Sequence, residues 1–152
     1  MGTMTQEFCR QSQKVHFEHY VLTEELHALD IALNHLRPDF NDSANLTSAK
    51  QIQMFAKQML DELPTHFQRE EREILTTVST VSPELDFFAR EMRRQHEDLL
   101  SRLKKFCGAI DDMAKPEGLT ETIERVRHEG RAFSRELAQH ISLEEQELGG
   151  FL

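Results

Sequence analysis

Cysteine is scarce in this chain. Cys9 and Cys107 are the only two, and their spacing fits neither a metal knuckle nor a redox pair, so both read as free thiols. No apolar run approaches the roughly 20 residues that a membrane span needs. Met1 to Lys14 is polar and lacks the apolar core of a signal peptide. The expectation is therefore a cytoplasmic protein with no membrane partner. Cationic side chains are outnumbered, with 18 Lys and Arg against 27 Asp and Glu and a net charge of −9. That balance excludes nucleic acid as the expected partner, because phosphate contacts need clustered cations. No stretch carries a β-strand signal. Histidine, by contrast, is abundant at eight residues, and 152 residues suffice for one domain with a real core, read here as residues 1–152.

Apolar residues recur at three-four spacing along four long stretches. The first helix is expected from about Gln6 to Arg37, with Phe8, Val15, Leu22, Leu26, Leu29, Leu33 and Leu36 on one stripe and Pro38 as its stop. After a polar loop over Pro38 to Ala44, a second is expected from about Asn45 to Thr80. It carries Ile52, Phe55, Met59, Leu63, Phe67, Ile74 and Val78, with a bend at Pro64. Ser82-Pro83-Glu84 is a helix start: cap, proline in the first turn, early acid. The third helix follows to about Ala114, carrying Leu85, Phe88, Met92, Leu99, Leu103, Phe106, Ile110 and Met113. Lys115-Pro116-Glu117-Gly118 is the next turn. The fourth helix runs from about Leu119 to Leu148, stopped by Gly149-Gly150 and weakened at Gly130. This is an all-α, up-down-up-down antiparallel four-helix bundle. Aligning His19 with His96 makes seven apolar positions coincide without a gap, so the bundle reads as two copies of a helical hairpin.

The chemistry lies in a motif that occurs twice. His66-Phe67-Gln68-Arg69-Glu70-Glu71-Arg72-Glu73-Ile74 and His140-Ile141-Ser142-Leu143-Glu144-Glu145-Gln146-Glu147-Leu148 share one pattern. Residues four apart are neighbours on a helix face, so His66 with Glu70, and His140 with Glu144, each present an imidazole and a carboxylate to one point. Helical phase places His19 and His96 at the same offset from their apolar stripes. Height agrees: His19 lies 18 residues before Arg37 and His66 lies 20 after Leu46, whereas His27 is only 10 from that end, about 15 Å out of level. Hence His19, His66, Glu70, His96, His140 and Glu144 converge at one level in the core. Two unpaired buried carboxylates would cost several kcal/mol each, and a transition-metal cation with nitrogen and oxygen ligands removes that cost.

Around the six, His16, His27, His35 and His128 read as surface residues. Glu71 and Glu145 are rotated outward by about 100° and are expected in solvent. Glu73 and Glu147, on the ligand face one turn further along, are candidate acceptors for imidazole N–H groups. Tyr20 faces either the site or solvent.

The ordered set His19, His66-x3-Glu70, His96, His140-x3-Glu144 resembles the H-HxxxE-H-HxxxE pattern of haemerythrin-like (HHE cation-binding) domains over nearly the whole chain. The resemblance implies two non-haem irons, oxo- or hydroxo-bridged, with the four histidines as terminal ligands and Glu70 and Glu144 bridging. Other transition metals are possible in recombinant material. Oxygen-carrying haemerythrins use a fifth histidine four residues away on helix 3, where this chain has Met92 and Leu100. The pattern is closer to the iron-sensing domain of an F-box ubiquitin ligase and to the family that repairs iron–sulfur centres. The implied partner is a small diatomic ligand (oxygen or nitric oxide) or peroxide, or iron itself, bound for sensing or storage by a monomer or homodimer. A di-iron enzyme detoxifying peroxide or nitric oxide, and a metal-stabilised interaction domain, are the alternatives.

Overall fold

The structure is a computed structural model that describes residues 6–37, 43–113 and 119–149. Helix α1 is Gln6–His35. Helix α2 begins as Ser43–Arg69, passes directly into a π-helical segment, Glu70–Leu75, and ends with the short turn Thr76–Val78. Helix α3 is Pro83–Met113 and α4 is Leu119–Leu148. Each packs on its two neighbours in the order α1, α2, α3, α4 and back to α1, so the expected up-down-up-down bundle is the fold. Among the described residues no helix is long and apolar enough to cross a membrane.

The boundaries follow local chemistry. Helix α1 stops at His35, two residues short of Arg37, because a residue before proline is pushed out of the α region; Leu36 still bonds back to the Leu33 carbonyl at 3.3 Å. Ser82 caps α3 as its sequence promises: its hydroxyl accepts from the Leu85 N–H at 3.1 Å. Pro64 is accommodated inside α2. The expected turn at Lys115 to Gly118 and most of the loop after Arg37 lie outside the described residues, as does Gly150; Ser43 already belongs to α2.

The apolar stripes are buried nearly as drawn. Phe55, Leu85 and Phe88 are only partly covered. Leu75, absent from the α2 stripe, is fully buried beside Ile74. The π-helical turn explains this, since its wider ring carries two successive apolar side chains inward. The core forms two apolar slabs. One, including Leu22, Leu63, Phe67, Leu99 and Ile141, fills the end that holds the α1–α2 loop. The other, with Phe8, Val15, Ile74, Met92 and Leu148, fills the opposite end. The polar layer of the candidate site lies between them.

Two glycines in this core act in opposite ways. A Cβ on Gly130 would lie 2.9 Å from Leu33 Cδ1 and 2.9 Å from Phe106 Cε1, both on fully buried side chains. Gly130 thus lets α4 approach its neighbours closely. Gly130→Ala is expected to destabilise by about 1–3 kcal/mol through overpacking, in spite of the better helix former. A Cβ on Gly108 meets nothing within 4 Å, so Gly108→Ala is expected to stabilise by up to about 1 kcal/mol. Thermal unfolding of the two variants tests both signs.

Candidate metal centre

The bundle brings all six sequence-derived residues into one buried layer. His19, His96 and His140 are 2% exposed, His66 is 4%, and Glu70 and Glu144 are 0%. Helix α1 supplies His19, α2 His66 and Glu70, α3 His96, and α4 His140 and Glu144. Their donor atoms form two groups, His19–His66–Glu70 and Glu70–His96–His140–Glu144, each compact enough to hold a metal ion. Glu70 belongs to both. Its Oε2 lies 2.7 Å from His19 Nε2 and 2.9 Å from His66 Nε2, and its Oε1 lies 2.9 Å from His96 Nε2. Glu144 contacts His140 Nε2 through the expected four-residue step and approaches His96 Nε2 at 3.8 Å.

The donor set fits a cation better than it fits itself. Glu70 Oε1 and both oxygens of Glu144 are buried without an aligned hydrogen bond, and buried carboxylate oxygens left so are costly. His96 Nε2 and His140 Nε2 face each other at 3.1 Å. Two ligands at about 2.1 Å from one ion and at right angles to each other stand about 3 Å apart. Phe67 closes the layer: its ring stacks on His96 with centroids 3.9 Å apart and 10° between planes.

Charge within the layer is arranged as a substitute for a cation. Burial alone would push the His66 imidazole down, but Glu18 and Glu70 on either side outweigh it and raise it to about 10. His96 is likewise lowered by burial but raised further by Glu144 and Glu70, to about 9. Burial also disfavours His19⁺, and Glu70 again reverses the sign. Burial disfavours the Glu70 carboxylate, yet His19, His66 and His96 hold it well below the usual range.

Each imidazole keeps Nε2 turned to the centre and gives its outer nitrogen, Nδ1, to a partner from a neighbouring helix. Glu145 takes His19 at 2.7 Å, Glu18 takes His66 at 3.0 Å, Glu71 takes His96 at 3.3 Å and Gln95 takes His140 at 2.9 Å. Such partners fix which nitrogen carries the proton and aim the other. This corrects the sequence reading. Glu71 and Glu145 are only partly exposed, at 35% and 27%, and each bonds to a histidine. A residue about 100° off the core stripe sits at a helix–helix seam, where the outer nitrogen of the facing histidine emerges. Glu73 instead pairs with Arg72 at 3.0 Å and Glu147 is exposed, because one turn beyond the ligand carboxylate is too far along the bundle. Glu18 and Gln95 carry no motif of their own, yet they support His66 and His140. The available signal was their identical place in the repeat, immediately before His19 and His96.

The remaining candidates are as exposed as expected. His16, His27, His35 and His128 are on the surface, although His16 Nδ1 reaches both oxygens of Glu145 at 3.1 Å. Tyr20 is 62% exposed and turned away from the layer. Cys9 and Cys107 are free thiols. A groove of about 430 Å³ between α1 and α2, lined by Phe17, Glu18, Val21, His66 and Arg69 among others, reaches the outer side of one histidine. Its counterpart between α3 and α4, about 280 Å³, contains Gln95 and His140.

The family model described as Hemerythrin HHE cation binding domain matches residues 11–152. No curated protein and no solved structure matches the chain. The matched span takes in α1 from Gln11 onward, the other three helices and every residue of the buried histidine–glutamate layer, a layer able to hold metal, and on that extent the chain belongs to the hemerythrin HHE cation-binding family.

Proposed function

We propose that the chain is a non-haem di-iron protein that binds a small ligand (oxygen, nitric oxide or peroxide) or iron itself, for sensing or storage. The observation that carries this reading is the sharing of Glu70 between two groups of imidazoles, one oxygen toward each. His19 and His66 would hold one ion and His96 and His140 the other, with Glu70 shared between them and Glu144 beside the second. Imidazole with carboxylate suits iron, and also zinc, manganese or nickel. Bound iron would supply redox chemistry and a site for a small molecule. The protein side does the rest. The two apolar slabs and Phe67 keep bulk water from the layer, and the three carboxylate supports hold His19, His66 and His96 with Nε2 turned to the centre.

A second reading, turnover of peroxide or nitric oxide, draws support from one feature. His16, exposed, bonds to Glu145, which bonds to buried His19, a continuous path for protons between solvent and the site. Metal analysis of freshly purified protein, combined with anaerobic spectroscopy under oxygen and nitric oxide, tests the main reading. The expected result is about two irons per chain, one for each imidazole pair, and a spectral change that reverses on gas removal. Absence of any transition metal contradicts it. Catalytic consumption of peroxide or nitric oxide in stopped flow selects the second reading.

A further inference from the structure

The four outer hydrogen bonds follow the internal repeat, with one exception. In each hairpin the residue before the lone histidine supports the histidine across the hairpin: Glu18 supports His66 and Gln95 supports His140. The residue after each ligand-face glutamate supports the lone histidine of the next hairpin: Glu71 supports His96 and Glu145 supports His19. Three of the four supports are carboxylates and the fourth is an amide. We propose that Gln95 makes the two halves of the site unequal, so that the half built on His96 and His140 holds its transition-metal ion more weakly than the half built on His19 and His66. The inference rests on the metal-binding reading above and concerns this chain's own supporting residues.

Two physical differences favour this order. A carboxylate brings negative charge to Nδ1–H and makes the imidazole a stronger donor to a cation, whereas an amide brings only a dipole. A carboxylate can also only accept, so it holds the proton on Nδ1 and leaves Nε2 bare. An amide turned end over end donates to Nδ1, and the proton then moves to Nε2, where it blocks the metal. The other support in the same half is the longest of the four, 3.3 Å against 2.7 Å for its repeat mate. Arg69 also pairs with Glu18 and fixes that carboxylate against His66, whereas Arg93 stands 3.9 Å from Glu71 in the weaker half. Counting only the groups that face the centre would rank the halves the other way, since Glu144 stands with His96 and His140. The experiment therefore has to separate the two rankings.

Metal-free protein titrated anaerobically with Co²⁺ provides that test, followed by visible absorption and by the shifted, exchangeable imidazole N–H signals in proton NMR. The expected result is two steps at least about tenfold apart. Gln95→Glu strengthens the weaker step by about tenfold and leaves the stronger step alone, while Glu18→Gln weakens the stronger step by about 10- to 100-fold. Gln95→Glu also moves one N–H signal that Glu18→Gln does not. Circular dichroism of the metal-free variants confirms that each is folded. Gln95→Glu leaving both steps unchanged, or acting on the stronger one, overturns the inference and leaves the metal reading standing. Failure of the wild-type protein to bind Co²⁺ at all overturns both.

Discussion

Glu70→Gln is expected to weaken metal binding in both halves of the site by more than about 100-fold, beyond the loss of a residue that merely supports a ligand. The side chain keeps its size, so the effect isolates charge and donor character. Glu70 Oε2 faces His19 and His66 while Oε1 faces His96, so one substitution removes an anionic donor from both groups. Glu144→Gln should differ, because Glu144 lies only against His96 and His140; its larger effect falls on one ion. Competition with a chromophoric chelator measures both affinities. Retention of both ions by Glu70→Gln at wild-type affinity would show that this carboxylate is not shared.

The second large effect is on pH. In the metal-free protein His66 is raised to about 10 and His96 to about 9, after the neighbouring carboxylates overcome burial. Both lie above the ordinary histidine value of about 6.5 in the unfolded chain. A raised imidazole gives stability that is fully present below the unfolded value and is lost as pH rises through the folded one. Metal-free protein should therefore lose thermal stability steadily from about pH 7 to about pH 10. Metal-loaded protein should not, because the cation has replaced those protons. Binding must also expel them, at least about two protons per chain near neutral pH from His66 and His96 with a further contribution from His19, and affinity should rise with pH. Calorimetry in buffers of different ionisation enthalpy counts the protons. A metal-free melting temperature that is flat or rising over that range contradicts the ion-pair account of the layer.

The fold was legible because it depends on a periodicity that local neighbours do not disturb. The stripe from Phe8 to Leu36 and its repeat mate from Leu85 to Met113 place the first and third helices, that from Ile52 to Val78 places the second, and the proline and glycine positions mark the helix ends. The convergence of His19, His66, Glu70, His96, His140 and Glu144 was legible for the same reason: phase and height along a straight helix are arithmetic. What that arithmetic could not supply is anything that depends on a helix departing from it or on the gap between two helices. The π-helical turn at Glu70–Leu75 has no mark in the sequence, and it buries Leu75, which a regular helix would turn away. The supports of the imidazoles were misassigned for the second reason. Glu71 and Glu145 looked solvated on a single helix, yet each meets a histidine of the adjacent one. Gly130 was read as a weak point of its own helix, whereas Leu33 and Phe106 packed against it make it the residue that permits the close approach.

The most direct test of the shared buried centre is anomalous X-ray diffraction at the iron edge from crystals of protein produced with iron. The account predicts two adjacent peaks, one beside His19 and His66 and one beside His96 and His140, with Glu70 reaching both. No peak in that layer, or His19 turned out to solvent with Glu70 and Glu144 facing water, would contradict it.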